Sequence, residues 1–140
     1  MELRLELVLV PVADVDRSIT FYTEQAGFRL DVDHRGGEGF RVVQLTPPGS
    51  PCSITIGTGL GLAAPGSLRG LHLMVTDIEA ARAELRGRGL DVGEIRHMSP
   101  DGWRPGVDPT HADYNSFADF SDPDGNTWLL QERGWKAPGA

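Results

Sequence analysis

The chain is written twice, and this internal repeat limits its fold more than any other feature of its 140 residues. Val12-Ala13-Asp14-Val15-Asp16-Arg17 and Val75-Thr76-Asp77-Ile78-Glu79-Ala80 match in type, 63 positions apart (12 to 75). Each opens a helical pattern that ends at glycine, Gly27 in one copy and Gly87 or Gly89 in the other. Thr76-Asp77-Ile78-Glu79 reads as a capping box, in which a hydroxyl and a carboxylate satisfy the free donors of the first turn. The first copy has Ala13 in place of the threonine, so Asp14 is expected to cap alone. The spacing predicts helices near Asp14–Ala26 and Asp77–Arg88, followed by strands Phe28–Asp33 and Leu90–Ile95.

A second match follows. Thr46-Pro47-Pro48-Gly49 parallels Asp122-Pro123-Asp124-Gly125, 76 positions apart (46 to 122). Both are turn sequences, because proline presets one dihedral and glycine permits positive φ. Strand candidates precede them (Phe40–Leu45 and Phe117–Phe120) and follow them (Ser53–Gly57 and Thr127–Glu132). One more strand stands before each helix, Leu3–Val10 and Leu68–Val75. The order is therefore strand–helix–strand–strand–strand, twice, an α+β fold. The offset grows by 13 (63 to 76), so the second copy carries an insertion between Gly89 and Ser116, placed at His97 to Asn115. The first module spans about 1–57, a linker 58–67, the second module about 68–133, and a tail 134–140. A copy of roughly 60 residues closes its own core poorly, so the two are expected to pair as one domain.

Composition excludes several function classes. The formal net charge of −7 and sequence pI near 4.9 leave no basic face for nucleic acid. No apolar run reaches the roughly 20 residues needed to cross a bilayer. Residues Met1 to Glu6 alternate charged and apolar, which reads as a strand and not as a signal peptide. Cys52 is the one cysteine, which rules out an internal disulfide or a thiolate metal cluster and suits a cytoplasmic location. Gly57-Thr58-Gly59-Leu60-Gly61 lacks the lysine of a phosphate-binding loop and reads as a connector.

The run Val12 to Ser18, with Phe21-Tyr22 and Gly27-Phe28, resembles the first-module signature of the vicinal-oxygen-chelate superfamily of glyoxalases, bleomycin-resistance proteins and dioxygenases. Phe120-Ser121-Asp122-Pro123-Asp124-Gly125-Asn126 resembles its second-module signature. The likeness runs from about Leu5 to Glu132. It implies two paired βαβββ modules related by a pseudo-twofold axis, whose concave faces line one cavity within one chain or across a homodimer. In the family's metal enzymes two ligands per module hold a divalent ion that takes substrate oxygens. The matching positions here are Leu7, Gly70, Leu129, and Ser53 or Thr55. Leucine and glycine offer no donor atom and a neutral hydroxyl is a poor primary ligand. The resemblance thus carries over no metal, no cofactor and no catalytic residue.

Strand parity sorts the remaining candidates. Gly70, His72 and Met74 share one face, as do Leu129 and Gln131, while Trp128 and Leu130 turn toward the helix. His72 reads either as a ligand contact or proton carrier, or as a structural histidine. The insertion has too many prolines and glycines for a helix or central strand and reads as a long loop. In it Trp103 and Tyr114 offer flat surfaces, Asp101, Asp108 and Asp113 an acidic rim; alternatively Trp103 merely anchors the loop. His97 and His111 match no ligand spacing and read as solvated. Cys52 has a packing role, and His34 with Arg35 lies at a solvated strand end. Arg35 and Arg41 are candidate contacts for an anion. The expected ligand-binding set is Leu7, Leu9, Gln44, Thr55, His72, Met74, Trp103, Tyr114, Leu129 and Gln131. The expected function is metal-free binding of an apolar or aromatic drug or metabolite, as in the bleomycin-resistance members, by a homodimer. The alternatives are a lyase or isomerase using His72 or a relocated metal site, and an interaction module without a small ligand.

Overall fold

The computed structural model describes residues 1–139, which form two compact units. The first contains residues 1–68 together with Asp122–Asn126, and the second the remaining segments, 69–121 and 127 onward.

In the first unit the elements are β1 (Leu7–Leu9), α1 (Val15–Thr20) with a π-helical turn (Phe21–Gln25), β2 (Arg29–Arg35), β3 (Arg41–Thr46) and β4 (Ser53–Thr58). The sheet order is β1-β4-β3-β2, with β1 parallel to β4 and the other pairs antiparallel. As expected, Asp14 caps α1, its carboxylate accepting from the Arg17 N–H at 3.1 Å. Beta-branched and leucine residues on one side of the sheet (Val43, Leu45, Ile54, Ile56) are buried with Val15, Phe21, Tyr22 and Phe28. The expected first strand is shorter than its alternating pattern suggested: only Leu7–Leu9 pairs, since β4 begins at Ser53, opposite Leu7.

The Asp122–Asn126 turn completes this unit. Asn126 is fully buried; its Nδ2 donates to the Pro11 carbonyl (2.8 Å) and to Asp122 Oδ2 (2.7 Å), and its Oδ1 accepts from the Leu68 N–H (3.0 Å). Asp122 also accepts from the Tyr22 hydroxyl at 2.8 Å. Asp124 Oδ1 accepts from the Ala13 N–H and from Arg17. Gly66 passes so close that a Cβ there would stand 2.0 Å from the Asp124 carbonyl oxygen, at a φ of +78°. Glycine is required there twice over, by space and by backbone conformation.

The second unit contains β5 (Leu71–Val75), α2 (Ile78–Gly87), β6 (Arg96–Ser99), β7 (Gly102–Pro105), β8 (Ser116–Ser121) and β9 (Thr127–Glu132). The sheet order β5-β9-β8-β6 repeats that of the first unit, again with a parallel first pair, and β7 is added beyond β6. The architecture is α+β, one βαβββ pattern per unit, with the second sheet enlarged to five strands.

Three expectations are corrected. Residues 90–95 form no strand: Leu90 and Val92 are buried, the Gly93 N–H reaches the Asp119 carbonyl, the Ile95 carbonyl accepts from the Gly106 N–H, and the Arg82 side chain takes the carbonyls of Val92 and Gly93. The equivalent strand lies six residues later, as β6. The insertion is not simply a loop, because His97 to Pro105 falls in the β6–β7 hairpin, with Pro105 at the sheet edge, where it removes no ladder bond. The helix start at 76–79 is not a Thr–Glu capping box. Asp77 is the cap, accepting from the Ala80 N–H, and buried Glu132 accepts from the Ile78 N–H at 2.9 Å. A carboxylate at this end also suits the helix dipole.

Candidate functional site

Each sheet buries one face and is more open on the other, although in the first unit β4 is buried on both. In the first unit, directly paired residues share a face, so Leu7 stands beside Ser53, and Leu9, Thr55, Gln44 and Val32 form a row across four strands. Leu9 and Val32 are exposed at the ends of this row, Gln44 is half-buried, and Thr55 is buried. The Thr55 hydroxyl has no hydrogen-bond partner among the described residues. An unsatisfied buried hydroxyl costs about 1–3 kcal/mol.

Beside that row runs a hydrogen-bond chain. A β-bulge between Leu30 and Val32 re-aims Asp31, whose carboxylate accepts from Thr46 and pairs with Arg29. Thr46 Oγ1 and Ser53 Oγ lie 2.7 Å apart, and Gln44 Nε2 donates to Ser53 Oγ at 3.1 Å. The hydrogen bond from Thr46, followed by that from Arg29, holds the Asp31 carboxyl below the usual carboxylate range. Arg41 is occupied by Asp16 and Asp33 and is not available to an anion.

The open face of the second unit is richer in aromatic and sulfur-bearing groups. One row across it is His72, Leu129 and Asp119; the next is Met74, Gln131, Phe117 and Arg96. Trp103 on β7 meets the Phe117 ring edge-on at 5.5 Å, and the Arg96 guanidinium lies 5.1 Å from the centre of the Trp103 ring. Arg96 also pairs with Asp119 at 2.9 Å. Met74, Met98, Trp103 and Tyr114 are each exposed to about half of their surface. At one end of the face is an open cavity of about 570 Å³ bordered by Gly70, Leu129, Asp119, Asp91 and Gly93. Gly70 has φ +74°, and a Cβ added there would meet nothing within 4 Å, so backbone conformation and not crowding sets its residue type.

His72 is exposed, and its Nδ1 lies 2.8 Å from the Gly70 carbonyl. A carbonyl only accepts, so Nδ1 carries the proton and Nε2 of the neutral ring is an acceptor. Asp119 is two strands away across Leu129, about 10 Å by strand spacing, so it does not orient the imidazole.

The structure brings Leu7, Leu9, Gln44 and Thr55 onto one open face, and His72, Met74, Leu129 and Gln131 onto the other. Trp103 joins the second group through Phe117. Tyr114 lies off the sheet; its carbonyl accepts from Gln131 Nε2 at 3.0 Å, and Arg133 lies over its ring. Arg96, Met98, Phe117 and Asp119 are members of this face that sequence reasoning missed. Parity along β8 was the available signal for Phe117 and Asp119; for Arg96 and Met98 the misplaced strand hid it.

The two insertion histidines are not solvated, contrary to expectation. His97 is buried, its Nδ1 donating to the Gly106 carbonyl at 2.8 Å. His111 bonds Glu132 Oε1 at 2.7 Å and stacks on Trp135, ring centres 3.6 Å apart. Asp108 accepts from Asn115, from the Thr110 N–H and from the Thr110 hydroxyl. The bond from Asn115, then that from the Thr110 backbone, lowers its carboxyl pKa to about 2. These contacts anchor residues 106–115 and take Asp108 out of the expected acidic rim, while Asp101 and Asp113 are exposed.

The donor set does not fit the divalent ion of the family's metal enzymes. Leu7, Gly70 and Leu129 have no donor atom, and among the described residues no three of His, Cys, Asp and Glu are grouped to hold a metal. Among the described residues no helix is long and apolar enough to cross a membrane.

Comparison with known proteins accords with this geometry. TnmS3, an antibiotic binding protein from Streptomyces sp. CB03234, is 34% identical with a TM-score of 0.71, over 94% of this chain and 96% of that one. A glyoxalase/bleomycin resistance protein from the same organism is 35% identical with a TM-score of 0.69, over 92% of this chain and all of the other. Protein YetH of Bacillus subtilis (strain 168) is 26% identical over 125 residues, 89% of this chain and 94% of that protein. The family model matches residues 4–130, and the chain belongs to the Glyoxalase/Bleomycin resistance protein/Dioxygenase superfamily.

Proposed function

We propose that this protein binds an apolar or aromatic small molecule on its open sheet faces without using a metal. The observation that carries the reading is the half-exposed Trp103, set edge-on to Phe117 with Arg96 beside it and Met74 and Met98 nearby. Flat rings with a cation favour a planar, electron-rich ligand, and methionine adapts to its outline. The likeness to an antibiotic binding protein supports the same class of ligand. The catalytic alternative has less support: the His72 ring bonds a backbone carbonyl through Nδ1, and among the described residues no carboxylate orients it.

Two copies of the chain are the assembly we favour, because Leu3, Leu5 and Leu9 form an exposed apolar stripe. Light scattering of the Leu5→Glu variant tests this, with a monomer as the expected result. A single half-buried thiol, Cys52, and the acidic composition are consistent with a reducing compartment and with no role in nucleic-acid binding.

The test of ligand class is a titration of tryptophan fluorescence with a panel of aromatic drug-like compounds. A binder should quench Trp103, and Trp103→Ala should weaken it about fivefold, since an aromatic contact contributes roughly 1 kcal/mol beyond area. Trp128 is buried and Trp135 is stacked on His111, so both should stay silent. Equal affinity in the variant and the parent would refute the role of this face.

A further inference from the structure

The polar row on the first unit's open face has a fixed sense. Asp31 is a carboxylate, so Thr46 must give its one hydroxyl proton to it. The bond of 2.7 Å between Thr46 and Ser53 then requires Ser53 to donate, which leaves Ser53 able only to accept from Gln44. Gln44 therefore commits one Nε2 hydrogen to Ser53, and its second Nε2 hydrogen and its Oε1 have no partner among the described residues. Directly across the ladder from Gln44 stands Thr55, 4% exposed, whose hydroxyl also has no partner among them. The opposite ladder neighbour of Thr55 is Leu9, about half exposed. An acceptor and a hydroxyl thus stand side by side on the open face of a sheet, in a row whose other members, Leu9 and Val32, are apolar.

We propose that Gln44 and Thr55 form a subsite for a neutral group that both donates and accepts a hydrogen bond, such as a phenolic hydroxyl or a carboxamide, carried on an apolar frame. The inference rests on the reading of the protein as a small-molecule binder and adds the chemistry that this face selects. Gln44 Oε1 accepts the ligand's proton, and the Thr55 hydroxyl donates to the ligand's oxygen. The row holds no charged side chain to compensate an ionised ligand, and the one carboxylate beside it, Asp31, is already covered by Thr46 and Arg29. A charged ligand group would lose its hydration there without replacement. The bulge at Asp31 supplies the carboxylate that fixes the hydroxyl protons of Thr46 and Ser53.

The experiment is a titration of the isotope-labelled full chain with phenol, toluene and benzoate, followed by amide and side-chain NH₂ resonances. Phenol should give saturable shifts at Leu9, Gln44 and Thr55, with toluene and benzoate at least about fivefold weaker there. Thr55→Val keeps the shape and the strand propensity while removing the hydroxyl. It should hold or raise the melting temperature, since an unsatisfied buried group is lost, while phenol affinity at this face falls about 5- to 10-fold. Equal shifts from phenol and toluene would overturn the polar subsite and leave the apolar binder standing. Phenol shifts confined to Trp103 and Phe117 would do the same. Silence of both faces to all three probes would overturn both readings, and a destabilised Thr55→Val would show that the hydroxyl already has a partner and overturn the subsite.

Discussion

Replacing Asn126 by alanine tests whether the Asp122–Asn126 turn is a structural part of the first unit. The substitution deletes three hydrogen bonds of a fully buried side chain: to the Pro11 carbonyl, to the Asp122 carboxylate and from the Leu68 N–H. Neutral bonds contribute about 1 kcal/mol each and the bond to the carboxylate about 1.5–3. The Pro11 carbonyl keeps the Gly66 N–H at 3.1 Å, which holds the total near the lower end, about 3–4 kcal/mol. In a chain of this size that corresponds to a fall in Tm of roughly 12–16 °C. Urea denaturation followed by circular dichroism gives the value directly. Tyr22→Phe, which removes one bond to the same carboxylate, should cost about 1.5–2 kcal/mol. Asn126→Asp sets a second carboxylate beside Asp122, so it should be worse than alanine at pH 7 and recover in part as the pH falls toward about 4, because two adjacent carboxylates share one proton more readily than an isolated one takes it. A loss under about 1 kcal/mol for Asn126→Ala would refute the reasoning.

Three further outcomes are expected. Asp108 should titrate near 2 by carbon-detected NMR, below its ordinary value of 3.8; its contribution to stability is then whole above about pH 4 and is lost as the pH falls through 2, and Asn115→Ala should move the midpoint upward. Gly66→Ala should cost more than about 2 kcal/mol in the same urea assay, because the residue has positive φ and the new Cβ meets a backbone oxygen. Zinc, nickel, manganese or iron(II) should leave the melting temperature unchanged, whereas a specific site saturated to about a hundred times its Kd would add roughly 2.7 kcal/mol.

The fold was legible where local chemistry and tertiary packing agree. Asp14 caps its helix because a short carboxylate before an apolar-periodic run has few other uses, and Thr127–Glu132 alternates so cleanly that its bounds could be read directly. The second copy of β2 was misplaced because Leu90 and Val92 are apolar and spaced like strand residues, yet their burial comes from packing while the carbonyls of Val92 and Gly93 go to Arg82. Sequence spacing registers burial, not which partner takes the backbone. The same gap hid the Glu132–His111 pair, whose members are 21 residues apart, and the proton order fixed by Asp31, which depends on a one-residue bulge with no mark in the sequence. Parity did group His72 with Met74 and Leu129 with Gln131, because a period of two survives small errors in strand ends.

The first unit is not contiguous in the chain, and this has a consequence for its synthesis. Its last component, the Asp122–Asn126 turn, is joined to Pro11 by a hydrogen bond spanning 115 positions. The sheet β1-β4-β3-β2 has all its strands once Thr58 has been made, yet the bonds of Ala13, Arg17 and Tyr22 to Asp122 and Asp124 form only when residues more than sixty positions later have been made. During translation the amino-terminal unit therefore lacks these bonds, to Arg17 on α1 and to Tyr22 on the π-helical turn after it, until the turn has been made. The closing contact carries a large loop-closure entropy, which slows the final step. A ribosome pausing between codons 68 and 122 would hold this half open, which makes that interval the vulnerable stage in the life of the chain.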